Sequence, residues 1–180
     1  EVLHSMKNGQ QYSVLNFNRS TRSTSIDLYD YKTQSKVAAL VDSKDLDAIP
    51  YFTNYTFSAD ESKIILATEV ESIYRRSTLG VFFVYDIASK QLQKVSDSKI
   101  QEPTFSPDAS QVAYGFNNNL YLKDLKSNRE KQITFDGEKN KIINGITDWV
   151  YEEEFAFVRA YDWNADGQKI AFLRFDETAV

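Results

Sequence analysis

The chain has 180 residues, 42% hydrophobic and 26% charged, a balance suited to a packed globular domain and unlike that of a disordered chain. Its net charge of −5 repels phosphate backbones, so no nucleic-acid partner is expected. Cysteine is absent and His4 is the single histidine, which removes disulfides and thiolate sites and leaves no metal or cofactor to expect. Eleven Tyr and twelve Phe against three Pro and six Gly favour pleated, half-buried surfaces, hence an all-β fold.

The first residues, Glu1-Val2-Leu3-His4-Ser5, lack the basic and apolar character of a signal peptide, and no apolar run reaches the length of a membrane span. Because the chain starts without Met and stops in the strand-like stretch 172–175, both ends are expected to be cut from a longer polypeptide. Residues 12–15, 26–30 and 36–40 read as strands of a first blade with a weak opening hairpin. Residues 54–65 then carry a clearer pattern: an aromatic (Phe57), a small polar residue (Ser58), a turn with Asp60, and β-branched residues opening the next strand. The same pattern returns at 102–113, with Phe105 and Asp108, and at 160–171, with Trp163 and Asp166.

Phe57 to Phe105 is 48 residues and Phe105 to Trp163 is 58, close to one four-stranded propeller blade with an insertion in the second interval, between Phe135 and Arg159. Strands at 81–86 and 92–95, and again at 119–124 and 131–134, complete two meanders. The reading is a partial β-propeller of about three to four four-stranded blades, with a short helical insertion. Such a set leaves two apolar end faces uncovered, so the piece alone is expected to be fragile.

The insertion holds Asn144-Gly145-Ile146-Thr147-Asp148-Trp149-Val150-Tyr151-Glu152-Glu153-Glu154-Phe155. Thr147 or Asp148 is placed to cap a helix whose first turn is acidic. Three carboxylates among Trp149, Tyr151 and Phe155 either form a solvated acidic helix end or await a cation, since desolvating an unpaired carboxylate is costly. Two adjacent Glu side chains on a helix diverge by about 100°, yet both can curl toward one ammonium group.

The run Asp148-Trp149-Val150-Tyr151-Glu152-Glu153-Glu154 resembles the hallmark of the dipeptidyl peptidase IV family, serine peptidases of the prolyl oligopeptidase superfamily. Tyr74-Arg75-Arg76-Ser77 resembles that family's aromatic-Arg-x-Ser loop. The resemblance implies that Glu153 and Glu154 hold the free amino terminus of a peptide substrate, with Glu152, Tyr151 and Trp149 supporting. It implies that Arg75 contacts the carbonyl of the second residue from the cut, Arg76 being the competing assignment. It also implies that residues 1–180 are a fragment of an N-terminal, eight-bladed propeller domain whose partner, the chain's own C-terminal α/β-hydrolase domain, carries the Ser-Asp-His triad.

No Gly-x-Ser-x-Gly elbow occurs here, so no catalytic residue is assigned and the fragment alone is expected to be inactive. The parent would release Xaa-Pro or Xaa-Ala dipeptides from peptide amino termini. Periplasmic, membrane-associated or secreted placement and a homodimeric parent belong to the same resemblance. The alternative is a non-catalytic propeller that binds peptides or proteins.

Overall fold

The computed structural model describes residues 3–180; Glu1 and Val2, part of the stretch unlike a signal peptide, lie outside the described residues. Among the described residues, sixteen strands, one α-helix and a 3-10 turn at Ser43–Asp45 succeed one another. The first blade is β1 (Leu3–Ser5), β2 (Gln11–Asn18), β3 (Ser23–Asp30) and β4 (Lys36–Asp42). The second is β5 (Asn54–Phe57), β6 (Lys63–Ser72), β7 (Thr78–Asp86) and β8 (Leu92–Lys94). The third is β9 (Gln101–Phe105), β10 (Gln111–Phe116), β11 (Asn119–Asp124) and β12 (Arg129–Gln132). Each is an antiparallel meander in which sequential strands are neighbours, as the repeat predicts.

The strands beyond do not form a complete blade. β13 (Ile142–Asn144) pairs with β16 (Arg174–Asp176), and β14 (Tyr161–Trp163) pairs with β15 (Ile170–Phe172). Helix α1 (Trp149–Phe155) lies between β13 and β14, inside the insertion expected from the repeat spacing.

Alternation along the strands explains the stacking, because a strand buried on both faces sends odd and even residues to different neighbours. Ile64 and Leu66 of β6, with Phe83 and Tyr85 of β7, join Ile26, Val41 and Phe52 in a cluster that includes β3 and β4 of the first blade. Ile65 and Ala67, with Phe82 and Val84, turn the other way and join Phe105, Val112 and Tyr114 of the third blade. Ala113 and Leu120 continue the order by meeting Tyr161 of β14.

The hairpin signature works as local chemistry. Ser58 Oγ donates to Asp60 Oδ1 at 2.7 Å, Ser62 N donates to the same oxygen at 3.0 Å, and Lys63 N donates to Ser58 Oγ at 3.0 Å. The Ser58 hydroxyl and the Ser62 donors hold the Asp60 pKa down to about 2. Ser106, Asp108, Ser110 and Gln111 repeat these bonds at 2.7, 3.1 and 2.9 Å. Asn164 and Asp166 do the same for Lys169 N and Gln168 N, at 2.9 and 2.8 Å.

The outer strand of the third blade differs from its predicted span of 131–134. Ladder pairing covers Arg129–Gln132, and past it Thr134 Oγ1 takes over by accepting from Leu120 N at 3.0 Å. The same hydroxyl donates to Asn119 Oδ1 at 2.9 Å, so the chain leaves the sheet where a side chain replaces the backbone partner.

Candidate functional site

β6 and β7 form a hairpin with a β-bulge between Thr68 and Glu71, where Glu69 has φ 49°. A bulge re-aims the strand beyond it. Pairing resumes at Glu71↔Leu79 and Ser72↔Thr78, and Ile73 N donates to Ser77 O at 2.8 Å. This closes a five-residue tip, Ile73-Tyr74-Arg75-Arg76-Ser77, in which both arginines are exposed and Ser77 is buried.

The insertion is held at its neck. Thr147 N donates to Val158 O at 2.9 Å, Thr147 Oγ1 donates to Phe157 O at 3.1 Å, and Ala160 N donates to Gly145 O at 2.9 Å. Below the neck, Asn119 Oδ1 accepts from Gly137 N at 3.0 Å, while Asn144 Nδ2 donates to Asp136 Oδ1 at 2.8 Å and Arg174 Nε to Asp136 Oδ2 at 2.8 Å. Gly145 sits at φ +75°, and a Cβ there would lie 2.5 Å from Leu120 Cδ2, a side chain with no exposure. Gly145→Ala is therefore expected to cost about 2–4 kcal/mol in the intact protein, left-handed strain plus overpacking, measured by urea denaturation.

Between these pinned ends, Asp148 caps α1 by accepting from Tyr151 N at 2.8 Å, which settles the cap between the two candidates. Ala156, left-handed at φ 58°, ends the helix after seven residues. Tyr151 packs on Phe155 (5.1 Å between ring centroids) and Phe175 (4.8 Å), anchoring that side of the helix. Trp149 is exposed and borders a depression shared with Tyr74, Ser77 and Asp148.

The two motif segments meet through the first Glu of the triplet. Glu152 is 1% exposed, and its Oε1 accepts from Arg76 N at 2.6 Å and Ser77 N at 2.9 Å, 76 and 75 residues earlier in the chain. Burial would push the Glu152 pKa up, but the neighbouring Ser77 hydroxyl and the two N–H groups outweigh it and hold the carboxyl below its ordinary value. Ser77 Oγ is itself buried without a hydrogen-bond partner, so the N–H groups carry the geometric contact.

One residue further on, Glu153 Oε2 lies 3.6 Å from Arg75 Nη1, with side-chain exposures of 28% and 72%. Glu154 is exposed on the same helix. The structure thus brings Arg75, Glu152 and Glu153 together, with Glu154 next in sequence; of the two arginines, Arg75 meets Glu153 through its guanidinium and Arg76 meets Glu152 through its backbone. Tyr151 and Trp149 make no hydrogen bond to the carboxylates through their side chains among the described residues.

Three further residues beside the site escaped the sequence reading. Glu102, in β9, has φ 50° at a register shift opposite Ala113 and Gly115. Burial pushes its carboxyl pKa up; Arg159 opposes that and Glu152 adds to it, which places Glu102 within electrostatic reach of the site. The single hydroxyl proton of Tyr161 is shared between two acceptors, the Glu102 carbonyl and Ala113 O, the latter at 2.8 Å, and burial raises its pKa. Arg159 Nη1 donates to Thr104 Oγ1 at 3.0 Å, and the Arg159 guanidinium carbon lies 5.9 Å from the centre of the Tyr161 ring.

Stacked meanders, with a capped acidic helix that grips an arginine loop, define a partial β-propeller. The chain belongs to the dipeptidyl peptidase IV N-terminal region family, whose model matches residues 58–180. It is similar to "Probable dipeptidyl-aminopeptidase B" of Sordaria macrospora, with 33% identity over 184 residues covering 96% of this chain and 19% of that protein. It is also similar to human "Prolyl endopeptidase FAP", 30% identical over 182 residues, covering 99% of this chain and 20% of that protein. The crystal structure of Porphyromonas gingivalis dipeptidyl peptidase 4 superposes with a TM-score of 0.88 at 36% identity, over 99% of this chain and 25% of that one. The chain therefore spans between about a fifth and a quarter of the length of these relatives.

Proposed function

We propose that this chain is the substrate-recognition part of a serine dipeptidyl peptidase that releases Xaa-Pro or Xaa-Ala dipeptides, and that it grips the free amino terminus of the peptide. The observation that carries this is the Arg75–Glu153 contact, built on the Glu152 clasp between two segments distant in sequence. Glu153 and Glu154 take the substrate ammonium, and Arg75 takes the nearby carbonyl oxygen. A salt bridge this exposed is worth about 0–1 kcal/mol, so an arriving ammonium displaces the guanidinium from Glu153 at little cost. The freed guanidinium is then beside the carbonyl it is to orient.

In this reading the helix and loop act as a ruler. Holding the amine remote from the scissile bond turns binding energy into alignment, so that the bond after the second residue reaches the nucleophile. That nucleophile belongs to a Ser-Asp-His triad on the intact protein's own α/β-hydrolase domain, which the shared length with the relatives supports. Work outside the cytoplasm and a homodimeric parent are proposed with it, on family membership.

Acetylating the amine of an Ala-Pro p-nitroanilide tests the reading on the intact enzyme. The neutral amide cannot satisfy two carboxylates, and losing hydrogen bonds to charged groups of roughly 1.5–3 kcal/mol each should lower kcat/KM roughly 100-fold or more. Equal turnover of free and acetylated substrates refutes it.

A further inference from the structure

The segment that leaves the insertion is fastened to the third blade by side chains at alternate positions. Arg159, whose backbone bridges Ile146 at the neck, donates from Nη1 to Thr104 Oγ1 at 3.0 Å. Two residues on, the Tyr161 hydroxyl reaches the Glu102 carbonyl, and two further on Trp163 Nε1 donates to Thr104 O at 3.3 Å. All three meet β9 at residues 102–104, beside the register shift that bulges this strand. Helix α1, which hangs from the same neck, is thereby tied to that bulge.

The bulge leaves a carboxylate in a costly place. Glu102 has φ 50°, unfavourable for a residue other than glycine, and burial raises the pKa of its carboxyl. The charged and titratable groups facing it are Arg159 from the neck, Glu152 from α1 and Tyr161 from β14. Arg76 of the loop borders the cavity beside it, with its own side chain exposed. Arg159 is anchored on Thr104 rather than on the carboxylate, so it acts on Glu102 across the intervening space. It favours the ionised form of Glu102 and Glu152 opposes it, so the guanidinium stands against the mutual repulsion of two carboxylates.

Glu152 cannot yield to that repulsion without consequence, because it is the acceptor for Arg76 N and Ser77 N. We propose that Arg159 is a positioning residue for the amine clamp: its guanidinium balances the Glu102 carboxylate, leaving Glu152 to grip the Arg76 and Ser77 N–H groups that set Arg75 beside Glu153. This rests on the amine-clamp reading, and Arg159 touches no substrate in it. Without Arg159, an ionised Glu102 stands uncompensated beside Glu152. Its pKa then moves further up, since the guanidinium is what opposes burial there. Below that value Glu102 is neutral and the clasp is undisturbed; as pH rises through it, the second negative charge appears and the clasp loosens.

The test measures free-amine preference, the ratio of kcat/KM for Ala-Pro p-nitroanilide to that for its N-acetylated form, on the intact peptidase from about pH 5 to about pH 7.5, below the titration of the substrate amine. Arg159→Met keeps an apolar stem over Tyr161 and removes the charge. Its preference is expected to fall about 10-fold below that of wild type at the upper end of this range, and by progressively less toward the lower end. Arg159→Lys keeps the charge and should retain most of the preference, and Glu102→Gln added to Arg159→Met should restore it and flatten its pH dependence. Labelling of the catalytic serine by a fluorophosphonate reports folding; where Arg159→Met alone fails to label, labelling regained in the double variant supports the role, and labelling lost in both overturns it. A labelled Arg159→Met enzyme with wild-type preference at every pH, or a deficit that Glu102→Gln leaves in place, overturns the positioning role and leaves the clamp standing. Equal turnover of free and acetylated substrates by wild type removes the clamp, and this role with it.

Discussion

Glu153→Gln and Glu154→Gln, made singly in the intact peptidase, are each expected to lower kcat/KM for free-amine dipeptidyl substrates by roughly 10- to 100-fold. Each replaces a charge-assisted acceptor by a neutral one, a loss of roughly 1.5–3 kcal/mol where the ammonium is held. The effect should reach kcat as well as KM, because the contact aligns a bond that neither glutamate touches. The double variant should lose the preference for a free over an acetylated amine. A free amine loses its proton above about pH 8, so wild-type kcat/KM should also fall on the alkaline side, and that limb should flatten in the double variant. Unchanged discrimination against acetylated substrates in the double variant would remove both residues from the amine site.

The blades were legible because their instructions are short-range. Ser58-x-Asp60 and Ser106-x-Asp108 build their turns from their own hydroxyl and carboxylate, so the same letters give the same bonds wherever they recur. A second local code was equally available and was not read. Asp30, Asp86 and Asp124 end the third strand of their blades, and each accepts from the backbone N–H three residues on, Thr33, Ser89 or Ser127, at 2.8, 2.8 and 2.6 Å. That Asp-x-x-Ser/Thr spacing marks the outer turn of each of the three blades and would have strengthened the first, whose opening hairpin looked weak.

The site was legible in parts and not in its assembly. The acidic run predicted a capped helix, and the arginine loop predicted a second segment, but nothing local says that Glu152 reaches back to Arg76 and Ser77. Nor does anything local separate Arg75 from Arg76; the clasp does so, since fixing the backbone at Arg76 leaves Arg75 at the tip beside Glu153. Glu102 was hidden for a different reason. Its place beside the site depends on a left-handed backbone at a bulge whose partner strand lies beyond the turn, and a strand read by alternation alone assigns it no such place. Tyr161 was hidden likewise, its hydroxyl partners Ala113 and Glu102 lying 48 and 59 residues earlier in the third blade.

Glu152→Ala is expected to have the other large effect, although Glu152 touches no substrate in the proposed arrangement. Removing the carboxylate leaves the Arg76 and Ser77 N–H groups without their acceptor, at about 1–3 kcal/mol each where they stay buried. The loop tip escapes that cost by moving toward water, which carries Arg75 away from Glu153. The expected result is a loss of roughly 100-fold in kcat/KM for dipeptidyl substrates, since a displacement of about 1 Å suffices for that. Fluorophosphonate labelling of the catalytic serine should persist, which separates a displaced loop from an unfolded protein. Glu152→Gln keeps an acceptor oxygen and should recover part of the activity, less than the charged acceptor provides. The pH dependence is set by the lowered pKa: the ionised clasp is fully formed above the ordinary value of 4.5 and is lost as pH falls through the lower folded-state value. Wild-type free-amine preference should therefore be steady from about pH 5 upward until the substrate amine titrates. If Glu152→Ala retained both full kcat/KM and full discrimination against acetylated substrates, the clasp would have no part in placing Arg75.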